Sequence, residues 1–171
     1  MKALNKRDML RILHGIDRHL TQTQGIVLCG SAAVILQDKN FRATTDIDFT
    51  QMPNAEVQMA MRRLLVGSDL SAMIFDTRAS GVVQLLYDYE DRLVTISDGF
   101  KFLGVKVLSI TDWVVSKLDS PKSDDIVTCG FITMQRLAVV EKQMGKYGGL
   151  RPQNALTDLR FAREALRKKR K

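Results

Sequence analysis

Cysteine, histidine and tryptophan are scarce in this chain of 171 residues, which holds two, two and one of them. Cys29 and Cys129 make no CxxC or other metal-ligand spacing, which excludes a cysteine-based metal or redox centre and leaves them as small buried hydrophobes. His14 and His19 stand five apart on a predicted helix and face different ways, so they form no joint metal site. Trp113 lies on a predicted helix and reads as core, not as a base-stacking platform. Long apolar runs are also lacking: none approaches a membrane span, and the start, MKALNKRDML, has no signal-peptide core. A cytoplasmic location with no membrane partner is therefore expected. No internal repeat occurs, and no linker is long enough to separate two domains.

What is present is ordinary globular material, 45% hydrophobic and 26% charged, enough for one domain with a single core. The formal net charge of +7 is unevenly spread. Residues 160–171 carry seven of the 26 basic side chains and one of the 19 acidic ones, so six of the seven net charges belong to that end. The rest of the chain is nearly neutral. Phosphate contact by a nucleic acid is thus an expectation for the basic tail at 167–171, not for the whole surface.

Residues 5–22 place Met9, Leu10, Ile12, Leu13, Ile16 and Leu20 at helical spacing. Gly25 breaks that pattern, and Ile26-Val27-Leu28-Cys29 reads as a buried strand followed by Gly30-Ser31 and a helix over Ala32–Gln37. Asp46–Thr50 predicts a second strand, and Pro53-Asn54 introduces a helix carrying Val57, Met61, Leu64 and Leu65. Further strands are predicted at Ala72–Asp76, Val82–Tyr87, Leu93–Ser97 and Val105–Leu108, giving a mixed sheet. Thr111 or Asp112 can cap a helix through Leu118, and Pro121 punctuates it. Ser123–Met144 reads as helical with an interruption near Gly130. A last helix from about Pro152 is expected to bury Leu156, Leu159, Phe161 and Leu166.

The stretch to explain is Gly25–Thr50. In a strand Asp46 and Asp48 point to one face while Ile47 and Phe49 enter the core. Two carboxylates so placed repel each other at neutral pH, which calls for a cation, a shared proton or an open strand end. Magnesium suits them, because it takes carboxylate oxygens and keeps positions for phosphate and water. Upstream, a glycine at a strand end lets backbone approach a ligand, and free amides at a helix start suit a phosphate.

An apolar strand, Gly30-Ser31, a 14-residue spacer and Arg42-Ala43-Thr44-Thr45-Asp46-Ile47-Asp48 together resemble the nucleotidyltransferase fold of the DNA polymerase β superfamily. The similarity is to its minor branch, which includes AbiEii-type toxins of toxin–antitoxin and abortive-infection systems. Lys117, followed by Asp124 and Asp125, resembles that branch's downstream lysine and acidic pair. The resemblance implies an α/β fold, a nucleotidyltransferase-like mixed sheet flanked by helices with a helical C-terminal portion. It implies a core over residues 1–120 and, packed on it, the helical portion 121–171.

By the same resemblance, Asp46 and Asp48 would hold magnesium, and Gly30 and Ser31 would contact the β and γ phosphates of an NTP. Lys117 would neutralise phosphate charge, oriented by Asp124 or Asp125. Arg42, and Thr44 beside it, would belong to the nucleotide-binding set. The implied activity is transfer of an NMP from an NTP to an RNA or protein acceptor, in a toxin or phage-defence setting with a cognate antitoxin as partner. One departure stands out: Gln84 occupies the place of a third carboxylate. Either Asp88, Asp91 or Asp98 substitutes, or one metal position is weakened. The alternative function is a catalytically silent member of the fold that binds nucleic acid or a protein partner.

Overall fold

The structure, a computed structural model, describes residues 3–66, 74–76, 85–118, 124–146 and 153–168. The chain is α/β and divides into two compact units, Met1–Val82 with Leu93–Leu108, and Val83–Arg92 with Ser109–Lys171. No helix among the described residues is long and apolar enough to cross a membrane.

The first unit holds the sheet. Helix α1, Lys6–Asp17, opens with a capping box in which the Asn5 side chain accepts from the Asp8 amide and the Asp8 side chain from that of Asn5. Its apolar stripe, Met9, Ile12, Leu13 and Ile16, is fully buried, each side chain contributing about 1.5–3 kcal/mol. The helix stops at Asp17, short of the predicted 22. The reason lies in Asp17 itself, whose carboxylate accepts the amides of Lys101, Phe102 and Leu103 at 3.0, 2.7 and 2.7 Å. Those bonds tie the end of α1 to the entry of the central strand.

That strand, β5 (Leu103–Val107), lies between β1 (Gln24–Leu28), its parallel neighbour, and β4 (Val94–Ile96), its antiparallel one. A second ladder pairs β2 (Asp46–Asp48) with β3 (Ile74–Asp76) in parallel. The ladders meet where the Cys29 amide donates to the Asp48 carbonyl at 2.9 Å and the Thr50 amide to that of Val27 at 3.0 Å. The mixed sheet expected from the sequence is thus formed, with α2 (Gly30–Leu36) leaving β1 at that junction.

Ala32 to Leu36 of α2 are all buried, as a helix with no polar face must be. Helix α3 (Ala55–Leu65) starts at the Asn54 cap, which accepts from the Val57 amide, and buries Val57, Ala60 and Met61. It approaches α1 so closely that a Cβ on Gly15 would stand 2.6 Å from Leu64 Cδ1.

The second unit is helical. It comprises a 3₁₀ turn at Tyr89–Arg92, α4 (Ile110–Lys117), α5 (Asp124–Thr128), α6 (Met134–Lys146) and α7 (Gln153–Lys168). The interruption expected near Gly130 falls between α5 and α6. Trp113 is fully buried and stacks obliquely on Phe131 at 5.7 Å, as its core reading requires.

Three expectations are corrected. The cap of α4 is Ser109, whose Oγ accepts from the Asp112 amide at 3.2 Å. Asp112 is instead committed to Arg92. Of the predicted strand Val82–Tyr87, residues 82–84 lie outside the described residues, while Leu85 and Leu86 are not in a strand and Tyr87 is in a turn. On α7, Leu159 is buried but Phe161 is 58% exposed; the buried seam runs Ala155, Leu159, Ala162, a spacing of four and three that leaves position 161 outside it.

Candidate active site

Strand β2 is short, yet its alternation is clear: Ile47 is fully buried, and Asp46 and Asp48 on either side of it are half-buried. Both carboxylates therefore leave one face of the strand, about 7 Å apart along it by strand rise. Each is held differently.

Asp48 packs on Gly30. The backbone bond from Cys29 to Asp48 draws the strand ends together, and Gly30 has φ of +57°, a conformation that favours glycine. A Cβ placed on Gly30 would overlap the Asp48 Oδ2 atom. The glycine thus makes room for the carboxylate as well as turning the chain into α2, which begins at Gly30 and not at Ala32. Ser31 follows, half-buried in the first turn.

Asp46 is held by Thr44, whose hydroxyl donates to its Oδ1. Thr44 is itself buried, and its carbonyl accepts from the Leu4 amide at 2.6 Å. Arg42, two residues earlier, is exposed and lies over the Phe41 ring at 5.9 Å.

Lys117 belongs to the second unit. Its side chain is only 9% exposed, lies 3.4 Å from Asp125 and stands 5.7 Å from the Trp113 ring. Asp124, its neighbour, is exposed in the first turn of α5. Arg167 and Lys168 end α7 exposed, and the rest of the basic tail, 169–171, lies outside the described residues.

Gln84 also lies outside the described residues. Of the acids offered in its place, Asp88 pairs with Arg92 at 2.5 Å, Asp98 contacts His14 at 2.9 Å, and Asp91 is exposed on the 3₁₀ turn. The sheet brings forward a different residue. Parallel pairing sets Asp46, Ile47 and Asp48 against Ile74, Phe75 and Asp76, so the backbone of Asp76 stands at the register position beside Asp48. Sequence reasoning placed Asp76 at the end of a strand but not next to Asp48, since register is a property of the pair of strands. The signal that could have found it is the acid directly after Ile74-Phe75, ending an apolar run as Asp48 does after Ile47.

Among the described residues no three His, Cys, Asp or Glu side chains cluster as a metal site. Two strand carboxylates with hard oxygens nevertheless fit magnesium, which takes one or two protein carboxylates and completes its shell with phosphate and water. Asp46 and Asp48 are the residues that would hold it.

No curated protein and no solved structure matches the chain. Residues 7–168, nearly its whole length, match DUF6036, described as a nucleotidyltransferase of unknown function, and the chain belongs to that nucleotidyltransferase family.

Proposed function

We propose that the protein is a magnesium-dependent nucleotidyltransferase that moves an NMP from an NTP to an acceptor hydroxyl, with Asp46 and Asp48 as its metal ligands. The observation that carries this reading is the pairing of the two carboxylates on one face of β2 with Gly30 packed against Asp48. It joins an acidic cation site to a strand-to-helix turn in which backbone can approach phosphate. Magnesium would supply charge neutralisation on the triphosphate and a more acidic acceptor hydroxyl. Gly30 and Ser31 bind the terminal phosphates. Thr44 fixes the orientation of Asp46 through its hydroxyl, and the backbone of Asp76 stands beside that of Asp48 in the strand register.

In the transfer itself the acceptor oxygen bonds to the α-phosphorus and the bond from that phosphorus to the α–β bridging oxygen breaks. Pyrophosphate departs, and the hydroxyl proton is taken by a carboxylate of β2. The match to a family described as a nucleotidyltransferase supports turnover over the alternative of a silent fold kept for binding. Membership of an AbiEii-like toxin or defence system, with a cognate antitoxin, is the setting we assign to this activity from the Arg42-x-Thr44-x-Asp46-Ile47-Asp48 string.

With α-radiolabelled NTP and magnesium, the wild-type chain should label an acceptor, and the Asp46→Ala, Asp48→Ala double variant should not. Labelling by the double variant at the wild-type level sinks the reading.

A further inference from the structure

We propose that the hollow between the segment entering α1 and the loop entering β2 seats one nucleotide of a single-stranded RNA acceptor. The inference rests on the nucleotidyl-transfer reading and names the acceptor class for it. The hollow measures about 310 Å³, and its walls include Leu4, Lys6, Ile35, Lys39, Asn40 and Phe41. That volume is at the small end of ligand sites, suited to a base with its sugar.

The lining has the chemistry of single-strand recognition. Leu4 and Ile35 are buried and give an apolar floor, and the half-buried Phe41 ring, with the Arg42 guanidinium 5.9 Å from its centroid, adds an aromatic wall of the kind that bases stack on. Asn40 is exposed, and its amide carries a donor and an acceptor for a base edge. Lys39 is a point cation for a phosphate. The side chains of Lys39 and Asn40 have no hydrogen bond or ion pair among the described residues. Asp38, the acid of the rim, is paired with Lys6 at 2.6 Å, so the charge left facing a ligand is positive.

Position connects the hollow to the transfer site. Ala43 ends its wall, three residues before Asp46, which limits their Cα separation to about 11 Å. The next nucleotide of a strand seated there lies within reach of the carboxylates. The walls also carry the catalytic strand mechanically: the Leu4 amide bonds the Thr44 carbonyl, and the Thr44 hydroxyl bonds Asp46. An acceptor filling the hollow presses on the same two segments that aim Asp46.

The test uses the full chain without NTP or magnesium and four fluorescein-labelled homopolymeric oligoribonucleotides, read by fluorescence anisotropy. Phe41→Ala should weaken binding about tenfold, with Phe41→Tyr restoring it. Lys39→Ala should weaken all four equally and lower the salt slope by about 0.7. Asn40→Ala should change the ranking among the four bases. The Asp46→Ala, Asp48→Ala chain should bind RNA at least as tightly as the wild type, having lost two anions near the strand, so loss of labelling and loss of RNA binding are separate results. Wild-type affinity in both Phe41→Ala and Lys39→Ala overturns the proposal. So does a wild-type chain that binds none of the four RNAs while labelling a protein. If RNA affinity falls as expected in those variants but no condition yields labelling, the RNA seat stands and the transfer reading fails.

Discussion

Several acids of the two units are held by different means. In the sheet unit, Asp17 accepts three backbone amides, Glu56 accepts from Thr21, Gln22 and Gln24, and Asp46 accepts from the Thr44 hydroxyl. These donors are neutral. In the helical unit, Asp112 is fully buried against Arg92 at 2.7 and 3.1 Å, and Asp125 faces Lys117. These partners are cations. Neutral donors fix a carboxylate in place and leave its charge to act outward, whereas a cation cancels it locally. Thr44 therefore orients Asp46 without cancelling its charge, whereas elsewhere in the sheet unit Asp38 pairs with Lys6 and Asp98 with His14. The helical unit uses its acids to lock Arg92 and Lys117 into position.

The contrast can be broken by substitution. The largest effect should come from Asp112→Ala, which leaves the Arg92 guanidinium facing a buried gap; a loss of about 3–5 kcal/mol in urea unfolding is expected. Asp112 and Asp88 together hold the Arg92 pKa above its ordinary value, and without Asp112 the guanidinium still stays charged, since arginine is not deprotonated in proteins.

Asp17→Asn should cost less, about 2 kcal/mol, because one carbonyl oxygen remains for the amides. Burial pushes the Asp17 carboxyl up, but the amides of Lys101, Phe102 and Leu103, with nearby His14, outweigh it and hold its pKa below the ordinary 3.8. The unfolded chain then binds this proton more readily than the folded one. Stability from Asp17 is complete above the ordinary value and is lost as pH falls through the lower folded one. Equal Tm losses for Asp17→Asn at pH 7 and well below that folded value would contradict this.

The smallest effect belongs to Glu56, which is half-buried. The Thr21 amide and hydroxyl, aided by Gln22 and Gln24, lower its pKa from 4.5 to about 2. Its contribution is present above 4.5 and disappears on acidification towards about 2. Glu56→Gln should flatten the Tm profile within that window and lower Tm slightly near neutrality, where the charge contributes. A variant whose profile keeps the wild-type slope would show that the side-chain cluster on Glu56 stores no stability as charge.

Much of this architecture is legible in the order of residues, because local rules set it. Asn54 caps α3 where Pro53-Asn54 predicts an entry, and the helical stretch after Ser123 breaks around Gly130. The alternation Asp46-Ile47-Asp48 foretells which side chains are buried. What escaped depends on partners distant in sequence. Nothing local to Asp112 marks it as the mate of Arg92, twenty residues earlier, and so it was open to being read as a helix cap. The place of Asp76 beside Asp48 required the register of two strands. Hydrophobicity alone places Phe161 in the interior, but the buried seam of α7 runs through Ala155, Leu159 and Ala162 and passes it by.

Gly30 and Asp48 occupy a single volume, and that ties their histories. With the carboxylate present, position 30 admits no Cβ, and its positive φ opposes one again. A lineage that kept the glycine after losing the acid would be free to drift at 30, while one that changed the glycine first would have to displace the carboxylate. The two codons should therefore change together or not at all, so a related chain with a bulkier residue at 30 marks itself as one in which the acid at 48 has gone or moved.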